Sequence, residues 1–159
     1  MPCCLLPPMR RALLTVPLLL LGSGPARAQD PDDTKLPAYQ HASACVAVLK
    51  REALVLTVRY KAGHTETRPE IVKLTELGFS FIGTAYKSGL RKPLADQLLD
   101  EAETAQTHAS PEALRRLLGE CQLEGAKLLR EANFGERALV GNRAAARVEK
   151  MLAPAEDGR

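Results

Sequence analysis

Cysteine is the most reactive residue type in this chain, and its four positions form two separate pairs. Cys3 and Cys4 precede a short apolar run, whereas Cys45 and Cys121 lie far apart in the rest of the chain. A lone pair of cysteines in an oxidising compartment most simply forms a disulfide, so we predict a Cys45–Cys121 bond. Two buried free thiols are the alternative. A disulfide would also prevent Cys121 from acting as a nucleophile, because the thiolate is the reactive form.

The histidines and carboxylates form no recognisable catalytic or metal-binding pattern. His41, His64 and His108 do not stand at i, i+4 spacing from one another or from a carboxylate in a ligand motif. The acidic residues of the fourth helical segment (Glu120, Glu124 and Glu131, with Lys127 between them) are predicted to form a solvated ladder on its outer face. Haem-attachment, phosphate-loop and nucleophile-elbow motifs are absent from the sequence. We predict a chain that is not an enzyme, with no metal site and no cofactor.

Three basic residues near the C-terminus form a candidate binding surface. Arg143, Arg147 and Lys150 fall on one side of the last predicted helix, where they could bind an anion or an acidic partner. Placed opposite the expected apolar stripe, they also fit an ordinary solvated face, which is the simpler interpretation.

The N-terminal residues have the pattern of an export signal. A pair of arginines, an apolar run and small residues at alternate positions follow in order: Arg10-Arg11, residues 12–21 and Ala26-Arg27-Ala28. The apolar run is about half as long as a membrane-spanning helix, so we expect cleavage rather than stable membrane insertion. We predict a cleaved signal peptide over residues 1–28 and export to the periplasm by the general secretory route, with the twin-arginine route as the alternative.

Cleavage would change the charge balance of the protein. The formal net charge of +3 is equalled by the three arginines of the signal, which contains no acidic residue. The remaining chain has 19 basic and 19 acidic residues. A neutral mature chain gives no reason to expect nucleic acid as a partner.

The mature chain is predicted to fold as one helical domain. Residues 29–37 are polar and without periodicity, which indicates a disordered leader, and residues 153–159 indicate a flexible tail. Between them, residues 38–152 carry helical periodicity in five segments, at about 38–62, 68–88, 93–106, 111–132 and 136–152. We predict an all-α fold, a four- to five-helix up-and-down bundle with one disulfide. Whether the last two segments are separate helices or one kinked helix is left open.

Local signals refine these boundaries. Thr67 and Glu70 have the spacing of a capping box, and Ser110-Pro111 is a strong helix start. Gly78 and Gly83 lie inside the second helix, which suggests close approach of a neighbouring backbone. In an antiparallel pairing of the first and fourth helices, Cys45 and Cys121 fall at similar heights, which supports both the bundle and the disulfide.

The first helix is apolar on nearly all sides. One face is defined by Cys45, Leu49, Ala53, Leu56 and Tyr60, but four further apolar residues fall elsewhere on the helical wheel: Val48, Leu54, Val55 and Val58. This excess of apolar surface on the first helix predicts a homodimer or a periplasmic protein partner. The β-branched run at 53–60 leaves a strand as an alternative. Glu52 and Arg59 share one side of this helix, flanked by apolar residues.

Two functional hypotheses follow. The first is a non-enzymatic interaction or accessory protein, since the packing pattern leaves no residue set for chemistry. The alternative is a carrier of a small apolar ligand or cofactor, in space left by glycines at 78, 83, 125 and 141. The layout resembles that of small exported helical proteins of Gram-negative bacteria, which implies a periplasmic location.

Overall fold

Five α-helices follow one another along the chain, as predicted from its periodicity. The computed structural model describes residues 33–154, so the predicted signal peptide and parts of the predicted leader and tail lie outside the described residues. The helices are α1 (Leu36–Lys61), α2 (Arg68–Lys87), α3 (Lys92–Thr107), α4 (Pro111–Glu131) and α5 (Phe134–Leu152). No strand occurs in this range, so the 53–60 run is helical. α1 begins at Leu36, inside the segment predicted to be a leader.

α1 and α2 form an antiparallel hairpin at the centre of the bundle. The Tyr39 hydroxyl, near the start of α1, donates to the carbonyl oxygen of Ser88 at the end of α2, at 2.9 Å. α3 then runs parallel to α1, because Glu103 accepts from Lys50 and the carbonyl of Gln106 accepts from Arg51.

α4 and α5 complete the alternation of direction. Cys45 of α1 is bonded to Cys121 at the middle of α4. His41, earlier in α1, pairs with Glu124, whereas Val55, later in α1, lines a pocket with Leu114, so these two helices are antiparallel. Two ion pairs join α5 to α2: Lys87 with Glu136 at one end, and Arg68 with Glu149 at the other. The predicted up-and-down bundle with one disulfide is therefore confirmed.

The main core lies where α1 and α2 meet α4 and α5. Its buried members are Cys45, Val48, Leu49 and Ala53 of α1, Ile71, Leu74, Leu77 and Phe81 of α2, Cys121 of α4, and Val148 of α5. Each fully buried Leu, Ile or Phe side chain contributes roughly 1.5–3 kcal/mol relative to an exposed one. A second cluster, formed by Tyr39, Ala85, Leu90 and Leu98, closes the end of the bundle where α3 begins.

Glycines end α1 and α2, and a serine begins α4 where the sequence predicts a helix start. Gly63 and Gly89 follow α1 and α2 with φ of 103° and 113°, values that L side chains rarely adopt. The Ser110 side chain accepts from the backbone N–H of Ala113 at 3.2 Å and caps α4.

The predicted capping box at the start of α2 is wrong. Thr67 ends a 3₁₀ turn with helical dihedral angles, so its hydroxyl points back along the chain and donates to the carbonyl of His64. Glu70 pairs with Lys73 instead. The capping box in the described structure lies at α5, where Asn133 and Glu136 each accept from the other's backbone N–H, at 2.9 and 3.0 Å.

The backbone at this capping box also shows whether the fourth and fifth helical segments are separate. Ala132 and Asn133 are both extended, with ψ of 143° and 171°, so α4 and α5 are distinct helices. α5 begins at Phe134, two residues before the predicted start. Its inner face differs too. Helical periodicity predicts a buried stripe of Ala138, Gly141, Ala145, Val148 and Leu152, but Ala138 and Ala145 are exposed, and Ala144 is buried beside Val148.

The prediction about the α2 glycines is also wrong. A Cβ placed at Gly78 or Gly83 would meet nothing within 4 Å. Close approach occurs instead at Gly125 of α4, where a Cβ would lie 3.1 Å from the ring of Phe81 and 3.2 Å from the Cβ of Leu77.

None of the described helices is long and apolar enough to cross a membrane.

Candidate functional site

Four chemically active side chains meet where α1 crosses α4. The two cysteines are disulfide-bonded, with their Cα atoms 5.3 Å apart. The Nε2 atom of His41 lies 3.8 Å from the sulfur of Cys45 and 2.7 Å from a carboxylate oxygen of Glu124. His41, Cys45, Cys121 and Glu124 are called the cross-link cluster below.

Helical spacing explains how the cross-link cluster assembles. His41 and Cys45 stand at i, i+4 on α1, and Cys121 and Glu124 at i, i+3 on α4, so each helix presents its two side chains on one face. The disulfide sets these faces opposite each other. The cysteines are 0% and 1% exposed, whereas the side chains of His41 and Glu124 are about half exposed. The cluster thus has a buried sulfur half and a solvent-facing half.

Sequence analysis missed this cluster because His41 and Glu124 are 83 residues apart. The available signal was the i, i+4 spacing of His41 and Cys45 combined with the predicted disulfide. The predicted ladder on α4 holds only in part: Lys127 pairs with Glu131 at 3.9 Å, but Glu124 pairs with His41.

A second candidate site is an apolar surface on the C-terminal half of α1. Leu54, Val55 and Val58, called the α1 patch below, are 44%, 44% and 71% exposed. They form the floor of an open groove of about 690 Å³ whose walls come from the end of α3 and the start of α4. α3 ends near Arg51, so no described helix covers the α1 patch.

Two charged residues of opposite sign flank the α1 patch. Glu52 and Arg59 are seven residues apart, so they project from nearly the same side of α1. Among the described residues neither takes part in an ion pair. Arg115 of α4 lines a small pocket together with Glu52, but it is engaged with Glu112 at 2.9 Å.

The basic residues predicted as a binding surface all lie exposed on α5. Arg143, Arg147 and Lys150 form no ion pair with any residue the structure describes. Arg147 lies closer to the core than expected, because it borders a cavity lined by α1 and α2. Their role as an anion or partner surface stays a prediction.

The cavity beside Arg147 bears on the hypothesis of a ligand carrier. It measures about 210 Å³ and is lined mainly by apolar side chains, including Leu49, Leu74 and Phe79, with Gly78 in its wall. Ligand pockets usually measure about 300–1,000 Å³, so this cavity is small for a carrier.

A clear pKa shift among the described residues is found at the start of α5, away from both candidate sites. The ammonium of Lys87 and the backbone N–H of Asn133 both donate to Glu136 and lower the pKa of its carboxyl. These bonds stabilise the ionised form. The residue caps a helix at the surface, which explains its pKa without a catalytic role.

No known protein family, curated protein or solved structure matches this chain. Function therefore rests on the two sites just described.

Proposed function

We propose that this chain is an exported, non-enzymatic interaction protein that associates with a second copy of itself through α1. The observation that carries the proposal is the α1 patch, a contiguous apolar surface bordered by unpaired charges of opposite sign. Apolar side chains grouped on one face of a long helix are typical of helix-pairing surfaces, whereas singly scattered ones are ordinary.

The charges favour a second copy in an antiparallel arrangement. A twofold axis between Val55 and Leu56 places Glu52 of one protomer opposite the partner's Arg59, and Arg59 opposite the partner's Glu52. Each charge then faces its opposite, because the two residues are equally distant from the axis. A parallel pairing in register would instead set like charges together, which is unfavourable.

Apolar burial would supply most of the association free energy. Full burial of an exposed Leu or Val contributes roughly 1.5–3 kcal/mol, and the three patch residues, which are 44–71% exposed, would gain the corresponding part of that. An exposed ion pair contributes about 0–1 kcal/mol. The α1 patch would therefore determine the affinity, and Glu52 and Arg59 the orientation.

Export is supported by the N-terminal sequence and by the cysteine pair. Arg10, Arg11 and the apolar run at 12–21 fit a signal peptide, and a lone disulfide fits an oxidising compartment such as the periplasm. Non-reducing mass spectrometry of the protein from a periplasmic extract tests this. We expect the mass of residues 29–159 less two hydrogens; an intact N-terminus in the cytosolic fraction would contradict export.

Sedimentation equilibrium tests self-association through matched substitutions. Val58→Glu places a charge in the centre of the α1 patch and should shift the protein to monomer. Leu123→Glu is the control, because Leu123 of α4 is 77% exposed and lies outside the α1 patch. We expect it to leave the dimer intact.

Both variants replace exposed side chains, so each should keep the wild-type helical circular dichroism. A wild-type monomer at all accessible concentrations would refute the homodimer. Equal loss of dimer in Val58→Glu and Leu123→Glu would also refute it, since the interface would then not be specific to α1.

A further inference from the structure

The cross-link cluster has the composition of a zinc site. Thiolate, imidazole and carboxylate are the three ligand types that Zn²⁺ takes in proteins, and four such ligands complete its tetrahedral shell. We propose that the dithiol form of this chain binds one Zn²⁺ through His41, Cys45, Cys121 and Glu124, and that the disulfide form does not. This proposal is independent of the dimer.

The distances in the cluster are near those of a tetrahedral site. With Zn–S at about 2.3 Å and Zn–N at about 2.0–2.1 Å, ligating sulfur and nitrogen atoms lie about 3.6 Å apart. The sulfur of Cys45 and Nε2 of His41 are 3.8 Å apart. Potential ligand atoms of His41, Cys45 and Glu124 all lie within 4.8 Å of one another, and the sulfur of Cys121 adjoins that of Cys45.

Only small movements separate the disulfide geometry from the zinc geometry. The two sulfurs, which are bonded in the disulfide, must separate to about 3.8 Å, and the 2.7 Å contact between His41 and Glu124 must open to about 3.3 Å. Both partners of that contact are about half exposed and free to adjust. The imidazole of His41 also makes an edge-to-face contact with Phe81, at 6.4 Å between ring centroids.

The chemistry balances with a thiol or phosphine as the reductant. Two thiols give two electrons and two protons to the Cys45–Cys121 bond, which breaks into two S–H groups while the thiols become a disulfide. With a phosphine, water supplies the two protons and the oxygen, so the bond breaks into the same two S–H groups while the phosphine becomes its oxide. Zn²⁺ then displaces the two thiol protons, and neutral His41 and ionised Glu124 complete the shell. A small-molecule disulfide reverses the step: it takes two electrons from the two thiolates and is cleaved to two thiolates of its own, so the Cys45–Cys121 bond forms again and the ion is released.

Zinc and the disulfide would join the same two helices. Each connects α1 to α4 at the same height, so the bundle would keep this connection in reducing and in oxidising surroundings. Both sulfurs are buried, whereas the His41–Glu124 edge faces solvent, so the ion would enter from that edge.

Metal titration of the purified processed chain, residues 29–159, which lacks Cys3 and Cys4, tests the proposal. The protein is reduced with a phosphine, desalted without oxygen, and titrated with Zn²⁺ or Co²⁺ beside an unreduced sample. We expect native mass spectrometry to show one zinc ion per reduced chain and none on the oxidised chain. Co²⁺ should give thiolate charge-transfer bands in the near ultraviolet and the intense visible bands of a tetrahedral site.

Single substitutions test the four-ligand set. His41→Ala and Glu124→Ala should each weaken zinc binding at least about tenfold, since even loss of an outer-shell partner costs about 10–100-fold. His64→Ala and Glu120→Ala are controls, with the same residue types away from the cluster. All four variants keep both cysteines, so their oxidised forms should retain the wild-type circular dichroism.

Two results would overturn the proposal. The first is a reduced chain, folded or unfolded, that binds zinc no more tightly than the oxidised chain. The second is equal affinity in His41→Ala, Glu124→Ala and the two controls, which would mean that the thiolates alone capture the metal.

Discussion

At the scale of single residues, Gly125 is the glycine of the described chain with the closest neighbours. Its missing side chain lets α4 approach Phe81 and Leu77 of α2, which would lie 3.1–3.3 Å from a Cβ at this position. Phe81 and Leu77 are buried, and the Cβ of Leu77 is fixed by its backbone. The Cβ of Leu77 therefore cannot yield without a movement of its helix.

Gly125→Ala should therefore destabilise the protein. Overpacking of a core costs about 1–3 kcal/mol, against a gain of about 0.8–1.0 kcal/mol in helix propensity. We expect a net decrease of roughly 1 kcal/mol in the free energy of unfolding, measured by urea denaturation. Gly83→Ala is the control and should stabilise by up to about 1 kcal/mol, because its Cβ meets nothing within 4 Å.

An increase in stability of Gly125→Ala equal to that of Gly83→Ala would show that α4 is not held closely against α2. The sequence predicted close contact at Gly78 and Gly83 instead. Sequence shows that a glycine lies inside a helix, but not which glycine faces a neighbouring backbone, because that depends on the rotation of both helices.

At the scale of helices, the start of α5 is fixed by its capping box. Asn133 and Glu136 satisfy each other's backbone N–H groups, and Lys87 of α2 pairs with the Glu136 carboxylate. Thr67 and Glu70 have similar spacing in sequence, yet form no box. The difference is conformational: Asn133 is extended, as a cap must be, whereas Thr67 already has helical dihedral angles.

Removing the Asn133 cap should destabilise the folded protein. Asn133→Ala should lower the free energy of unfolding by about 1 kcal/mol, as is typical for loss of a capping side chain. Thr67→Ala is the comparison and should lower the free energy of unfolding by less, because Thr67 makes no capping hydrogen bond. An equal decrease in the free energy of unfolding for the two variants, measured by urea denaturation, would contradict the assigned cap.

The lowered pKa of Glu136 gives a pH-dependent prediction with a definite sign. Its ionised form is favoured in the folded state, so its contribution is present above the ordinary pKa of 4.5 and is lost as pH falls through the lower folded pKa. Glu136→Gln should be less stable than wild type at neutral pH, and the difference should vanish in acid. A difference that persists in strong acid would contradict this assignment.

At the scale of the whole molecule, the disulfide closes a long loop between α1 and α4. Cys45 and Cys121 are 76 residues apart, for which chain entropy predicts roughly 4–5 kcal/mol of stabilisation. We expect the Cys45→Ser/Cys121→Ser variant to unfold at much lower urea concentration than wild type, in buffer with a chelator. A midpoint close to that of wild type would mean that helix packing alone maintains the bundle.

The fold could be predicted from sequence because periodicity and helix-end residues repeat along the whole chain. The pairing of Cys45 with Cys121 was predicted because they are the two cysteines that remain after the expected cleavage, and the antiparallel order of the first and fourth helices supported it. The contact of His41 with Glu124 could not be predicted, since it depends on the rotation of two helices about their axes. The rotation of α5 was likewise predicted incorrectly, with Ala145 expected inside where Ala144 is buried.

A charge-reversal cycle measured by sedimentation equilibrium tests the central claim, self-association through antiparallel α1 helices, most directly. Glu52→Arg and Arg59→Glu should each weaken the dimer, because each sets like charges opposite each other. The double variant Glu52→Arg/Arg59→Glu should restore association toward the wild-type level, since both pairs then have opposite signs again. A double variant that associates more weakly than either single variant would contradict the antiparallel arrangement.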